Sequence, residues 1–152
     1  MATNDRFIEV PPSSVWDVLS DGWLYPVWVV GATRIRDVDV TWPDEGARIH
    51  HSVGVWPMAL DDNTEVVEAR PGAMLKLRAR LWPFGEASVT IRLTASGAGT
   101  HVVIEEDAVS GPGKLVPEPL RRLGLKVRNV ETLKRLAYVA EGRRQPDRTR
   151  TP

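Results

Sequence analysis

Residues 114–142 constrain the fold more than any other part of this sequence. Apolar side chains recur there in steps of three and four residues, which predicts one long helix with an apolar side and a charged side. These positions are Leu120, Leu123, Val127, Val130, Leu133, Leu136, Ala137 and Ala140. A helix of about 25 residues is roughly 37 Å long, so we expect a curved sheet to wrap around it. We place its start at Pro119, whose missing N–H costs nothing in a first turn; a kinked start near Lys114 is the alternative.

The residues before this helix are typical of short strands separated by Pro and Gly turns. A first strand is predicted at residues 7–10, because Pro11 and Pro12 end its apolar run. Six further strands are predicted at residues 33–41, 47–56, 64–70, 74–82, 87–95 and 101–109. Neighbouring strands joined by such short links must be antiparallel.

Two short helices are expected between the first and second strands. Ser13 or Ser14 can cap the first, Asp17 suits its first turn, and Gly22 ends it. The aromatic-rich segment 23–30 forms the second helical or irregular piece. We expect both to pack where the long helix meets the sheet. An antiparallel sheet with these helices and the long C-terminal helix is an α+β fold.

This order of elements resembles the helix-grip fold of the START, pollen-allergen and polyketide cyclase superfamily, often called SRPBCC, over residues 6–142. Four segments are similar to a bacterial subgroup described as polyketide cyclase/dehydrase or lipid-transport-like. They are residues 25–32 (YPVWVVGA), 46–51 (GARIHH), 106–113 (EDAVSGPG) and 128–133 (RNVETL). The resemblance implies an antiparallel sheet of about seven strands around the C-terminal helix. Oxygenase subunits of the superfamily belong with a Rieske domain, whose Cys and His ligands this sequence lacks.

Length and composition fit one domain at residues 1–142, followed by a basic tail at 143–152 that has no apolar residue and is predicted to be disordered. The chain has no cysteine, which excludes disulfides, thiolate nucleophiles and Cys-ligated zinc. It also lacks an apolar run of about eighteen residues and a signal-peptide core. We therefore expect a cytoplasmic protein with no integral membrane segment and no cofactor, and leave the oligomeric state open.

Charge is balanced overall, with 20 Lys plus Arg against 20 Asp plus Glu, but it is unevenly distributed. Residues 114–152 hold 11 basic and 4 acidic side chains. The favoured interpretation is a basic solvent face on the long helix, and the alternative is a membrane-surface or acidic partner. Nucleic-acid binding is not expected, because these basic residues lack interleaved aromatic side chains.

His51 and Glu106 are the candidate acid and base groups. His51 shares its strand parity with apolar neighbours and is predicted to point inward, whereas His50 points outward, so the two cannot form a metal pair. Glu106 shares the parity of Val102 and Ile104. A core histidine and a structural glutamate are the alternative interpretations of these two residues.

Four more residues are candidates for ligand contact. Trp28, Trp56 and Trp82 lie at the ends of predicted elements, where they could line a pocket mouth or the rim of the core. Asn129 borders the apolar stripe of the helix and could reach a ligand carbonyl or a neighbouring strand. Residues 58–60 and 111–119 are candidate mobile covers.

These observations favour a container that binds a hydrophobic small molecule such as a lipid, polyketide or isoprenoid, and transport of that molecule is an extension of the same interpretation. One alternative is a polyketide cyclase or dehydratase in which His51 and Glu106 move protons. A second alternative is an interaction protein whose core is filled by large side chains.

Overall fold

The protein contains a seven-stranded antiparallel sheet, in a computed structural model that describes residues 1–30, 32, 34–53, 60–81 and 85–143. Its strands are β1 (Ala2–Ile8), β2 (Arg34–Val38), β3 (Arg48–Val53), β4 (Leu60–Arg70), β5 (Met74–Leu81), β6 (Gly85–Ser96) and β7 (Gly99–Ser110). They lie in the order β1-β7-β6-β5-β4-β3-β2, so β1 and β2 are the two edges. The predicted antiparallel sheet of about seven strands is confirmed.

The helices are α1 (Pro12–Leu19), α2 (Tyr25–Trp28) and α3 (Glu118–Arg143), with single 3-10 turns at Gly22–Leu24 and Pro112–Leu115. Two short helices thus follow the first strand, as predicted, and α3 packs against β1, β7, α1 and α2. Pro119 lies in the first turn of α3, also as predicted. The order of elements is that of the helix-grip fold.

The predicted start of β1 is wrong, because the strand begins at Ala2 and ends at Ile8. Residues 3–6 are all polar, so a search for apolar residues does not find them. The strand is instead defined by its pairing with β7, from Ala2 opposite Glu106 to Ile8 opposite Thr100.

The predicted cap of α1 is also wrong. Pro11 is the N-cap residue and makes no side-chain hydrogen bond, while Pro12 occupies the first turn, where no N–H is needed. The helix therefore begins before Ser13, and Asp17 lies beyond its first turn.

β4 begins at Leu60 rather than residue 64, because Asp61, Asp62 and Asn63 pair with β3 instead of forming a turn. β2 is shorter than the predicted 33–41. β3 is described only to Val53, so the last predicted residues of that strand lie outside the described part of the chain. β5, β6 and β7 agree with their predicted bounds to within two residues over the described positions.

The apolar residues of α3, predicted to form one stripe, lie on two different faces of the helix, one buried and one exposed. Asn129, Thr132, Leu133, Leu136, Ala137 and Ala140 are buried. Leu120, Leu123, Val127 and Val130 are exposed. At about 100° per residue these two sets lie roughly 130° apart around the helix axis. From Val127 through Val130 and Leu133 to Leu136 the apolar residues follow one another in steps of three, and each such step falls about 60° short of a full turn. The apolar positions therefore move to another face of the helix along its length.

The solid core lies where α1 and the C-terminal half of α3 cover the sheet. Its fully buried side chains include Ile8, Val15, Val18, Leu19, Ile49, Leu75, Leu133 and Leu136. The middle of α3, at Arg128, Asn129 and Thr132, instead borders open space above the sheet.

Candidate functional site

A cavity of about 280 Å³ lies between the sheet, α2 and the middle of α3. Its apolar lining consists of Val29, Val30, Ala32, Leu77, Ala79, Val89, Ile91 and Ile104. Its polar lining consists of Tyr25, Trp28, His51, Thr64, Glu106, Arg128, Asn129 and Thr132. The cavity shows that side chains do not fill the space between the sheet and α3, which argues against the alternative of an interaction protein with a filled core.

His51 lies on the interior face of β3, where 3% of its surface is exposed. His50, the next residue, points to the other face and contacts Asp39 at 3.1 Å. The His51 Nε2 atom is 2.9 Å from Thr64 Oγ1, and that oxygen is 3.3 Å from the Tyr25 hydroxyl. Because side chains alternate between the two faces of β3, His51 lies on the cavity side of the strand. There it forms a hydrogen-bonded chain with Thr64 and Tyr25 in the cavity wall.

The protonation states of this chain follow from its burial. Burial lowers the pKa of His51 below its ordinary value of 6.5, although the neighbouring Asp62 opposes part of that effect. Burial also raises the pKa of Tyr25. The imidazole of His51 is therefore neutral at pH 7, and the Tyr25 hydroxyl keeps its proton.

Glu106 is the buried charged group on the opposite wall, with 1% of its surface exposed on β7. It forms an ion pair with Arg128 of α3 through its Oε1 atom, and 30% of the arginine side chain is exposed. The carboxylate thus has a counter-charge that reaches the protein surface. Val102 and Ile104 are buried on the same face of β7, so the predicted parity of Glu106 is correct.

Four buried polar atoms on cavity-lining residues have no hydrogen-bond partner within the described part of the protein. They are Trp28 Nε1, His51 Nδ1, Glu106 Oε2 and Asn129 Nδ2. A buried polar atom without a partner costs about 1–3 kcal/mol, and a native structure keeps few of them. Four such atoms around one cavity are groups that a bound molecule, water included, can satisfy.

The structure brings together four of the six residues chosen from the sequence: Trp28, His51, Glu106 and Asn129 all line the cavity. The other two, Trp56 and Trp82, lie outside the described residues, as do residues 58 and 59 of one predicted cover.

Sequence reasoning missed Tyr25, Thr64 and Arg128 as lining residues. Thr64 could be found only from the register of β3 and β4. Tyr25 and Arg128 lie within two of the segments that carry the family resemblance, residues 25–32 and 128–133. Those segments could therefore have identified both residues, whereas strand parity and composition could not.

Two other classes of site were searched for in the described residues. No group of three or more His, Asp or Glu side chains among them could hold a metal ion. None of the described helices is both long and apolar enough to span a membrane.

Comparison with known families and structures adds an independent observation. The family described as "Polyketide cyclase / dehydrase and lipid transport" matches residues 2–141. A search of curated protein sequences finds no match.

Solved structures of similar fold include protein MLL2253 from Mesorhizobium loti, which is 20% identical with a TM-score of 0.69 over 95% of this chain and 98% of that chain. The di-domain ARO/CYC StfQ from the steffimycin biosynthetic pathway is 14% identical with a TM-score of 0.71, and the match covers 93% of this chain and 50% of StfQ. Ara h 8.0201 is 11% identical with a TM-score of 0.67, over 92% of this chain and 96% of that chain. At such identities the likeness concerns the fold.

Proposed function

Because this chain belongs to the polyketide cyclase/dehydrase and lipid transport family, we propose that it binds a compact, uncharged, mostly apolar molecule in the cavity between the sheet and α3. The observation that carries the proposal is the set of four unpartnered polar atoms around an otherwise apolar cavity. Apolar contact supplies affinity at about 25 cal/mol per Å² buried. The polar atoms then fix the orientation of the ligand.

The cavity size favours a compact ligand. Its volume of about 280 Å³ is at the lower end of the range for small-molecule sites, about 300–1,000 Å³. A fused-ring polyketide or a small isoprenoid matches this space better than a long acyl chain does.

The polar atoms define which groups the ligand needs. The Trp28 indole and the Asn129 amide nitrogen can only donate, so they call for a carbonyl or ether oxygen; the Glu106 carboxylate accepts and calls for a hydroxyl. Arg128 already neutralises Glu106, so a charged ligand would be desolvated without a counter-ion. The complementary ligand therefore has both a carbonyl and a hydroxyl group and no net charge.

A binding experiment with matched compounds tests this proposal. Calorimetric titration would compare a hydroxyanthraquinone, its methyl ether, its analogue without the carbonyl, and a fatty acid of similar atom count. We expect the hydroxyanthraquinone to bind at least tenfold more tightly than each of the other three. Equal binding of the fatty acid, or no binding of any member, would count against a compact hydroxyketone ligand.

A second candidate function is catalysis of a cyclisation or dehydration on such a molecule. It is favoured by His51, whose neutral imidazole at pH 7 can take up a proton, and by Glu106 on the opposite wall of the same cavity. The ARO/CYC description of StfQ is compatible with this candidate. Turnover of a polyketide analogue that disappears in both His51→Gln and Glu106→Gln, while the ligand still binds, would support catalysis; unchanged turnover would reject it.

A further inference from the structure

The N-terminal half of α3 has an apolar stripe that the fold does not use. This outer stripe consists of Leu120, Leu123, Val127 and Val130, which are 64%, 60%, 66% and 55% exposed. The four residues follow one another in steps of three, four and three, so they lie on one side of the helix. Leu115 and Val116, just before the helix, are also exposed.

The outer stripe is distinct from the face that holds α3 in the protein. The packing face runs through Asn129, Leu133, Leu136 and Ala140, all of which are buried. Single exposed apolar residues are ordinary, but a contiguous set marks an interaction surface. The outer stripe is therefore available to a partner without any change in the fold.

The charge around the outer stripe identifies the kind of partner. Lys126 is three residues from Leu123 and four from Val130, and Lys134 is four residues from Val130, so both lysines adjoin the stripe. Both are exposed and neither forms an ion pair with another described residue. Residues 114–143 hold 8 Lys plus Arg against 3 Glu. Two of those glutamates, Glu118 and Glu131, are already paired with arginines of the same helix.

We propose that this chain docks on an anionic lipid surface through the outer stripe, with the lysines placed at the lipid headgroups. A helix with aliphatic residues on one side and unpaired lysines beside them is the arrangement that lies in the plane of a membrane interface. Anionic headgroups attract each nearby lysine. This inference rests on the surface of α3 and does not depend on what the cavity binds.

A second copy of the chain fits the same surface less well. Stable protein interfaces use about 20–30 residues on each side, and the stripe extends only about 15 Å along the helix. Self-association would also bring the lysines of the two copies together. Docking on lipid has neither disadvantage.

Vesicle co-sedimentation of the full chain tests the proposal. The probes are vesicles of phosphatidylcholine alone and vesicles with about 30% phosphatidylserine. We expect binding to the anionic vesicles only, and weaker binding as salt rises, because exposed charges are screened within about 8 Å at physiological ionic strength. Binding to neither kind of vesicle overturns the proposal.

Two pairs of variants separate the stripe from general effects. Leu120→Ser with Leu123→Ser should lower partitioning at least about tenfold, whereas Val40→Ser with Val109→Ser, at exposed positions elsewhere, should not. Lys126→Glu should lower it at least about fivefold, whereas Lys76→Glu on β5, with the same charge change, should not. All the stripe side chains are exposed, so circular dichroism should show unchanged folding.

Two results would contradict the assignment of the stripe. Unchanged partitioning of the double serine variant shows that the stripe does not contact lipid. A dimer in analytical ultracentrifugation that is lost in Leu123→Ser assigns the stripe to a second copy of the chain instead.

Discussion

Arg128 of α3 pairs with Glu106 of β7 across the cavity wall, and the two partners differ sharply in exposure: 1% for the glutamate and 30% for the arginine. Removal of the arginine leaves the Glu106 carboxylate charged, buried and unpaired, whereas removal of the carboxylate charge leaves an arginine that is partly exposed to solvent. We expect Arg128→Met to lower the free energy of unfolding by about 3 kcal/mol and Glu106→Gln by about 1 kcal/mol.

Urea denaturation of both variants and of the double variant Glu106→Gln with Arg128→Met checks this asymmetry. The double variant should be more stable than Arg128→Met alone, because no buried charge remains. Equal losses in the two single variants would show that the pair is hydrated on both sides.

His51 should make the stability of the protein depend on pH. Since burial lowers its pKa below the ordinary 6.5, the unfolded chain takes up a proton as the pH falls through that value while the folded chain does not. The contribution of the neutral His51 side chain to the free energy of unfolding is therefore complete above pH 6.5 and is lost as the pH falls below that value. Unfolding free energies of wild type and His51→Gln, measured at several pH values on both sides of that point, should show a smaller slope in the variant.

Thr100→Val is the control for this measurement, because it removes a buried hydrogen bond, from Thr100 Oγ1 to Val10 O, and no titrating group. Its pH slope should remain that of the wild type. A His51→Gln variant with an unchanged slope would mean that the buried imidazole does not set the pH dependence.

Asn129 should show opposite effects on stability and on binding. Its amide nitrogen is buried without a described partner, so Asn129→Leu should leave the ligand-free protein as stable as before or more stable by about 1 kcal/mol. The same change removes a donor and should weaken binding of a carbonyl-containing ligand at least tenfold. Denaturation and calorimetric titration of the same preparation measure both effects.

Thr100→Val supplies the matched control. Thr100 Oγ1 donates to Val10 O at 2.7 Å in the solid core, away from the cavity lining. We expect this variant to lose about 1–2 kcal/mol of stability with ligand affinity unchanged. Loss of stability in Asn129→Leu comparable to that of Thr100→Val would show that the asparagine is a structural residue.

Ala79 offers a way to fill the cavity without disturbing the core. Its side chain lines the cavity, so Ala79→Leu should occupy ligand space, weaken binding at least tenfold and change stability by less than about 1 kcal/mol. Leu75→Phe, at a fully buried position outside the lining, should instead cost about 1–3 kcal/mol through overpacking. Unchanged affinity in Ala79→Leu would place the ligand elsewhere.

The sequence predicted those features that depend on local periodicity. The inward directions of His51 and Glu106 follow from strand alternation alone, and α3 follows from the three- and four-residue spacing of its apolar side chains. The polar N-terminal part of β1 and the start of β4 were missed because pairing with a neighbouring strand defines them. The chain from His51 through Thr64 to Tyr25 depends on the registers of separate elements, which no single stretch of sequence contains.

The two edges of the sheet have a consequence for how the protein behaves at high concentration. β2 is only five residues long, carries Arg34, Arg36 and Asp37, and is interrupted by a bulge between Ile35 and Asp37. β1 exposes Thr3, Asp5 and Arg6. Charged edge strands, one of which is also short and bulged, are poor templates for strand addition, so we expect the sheet to resist growth into fibres.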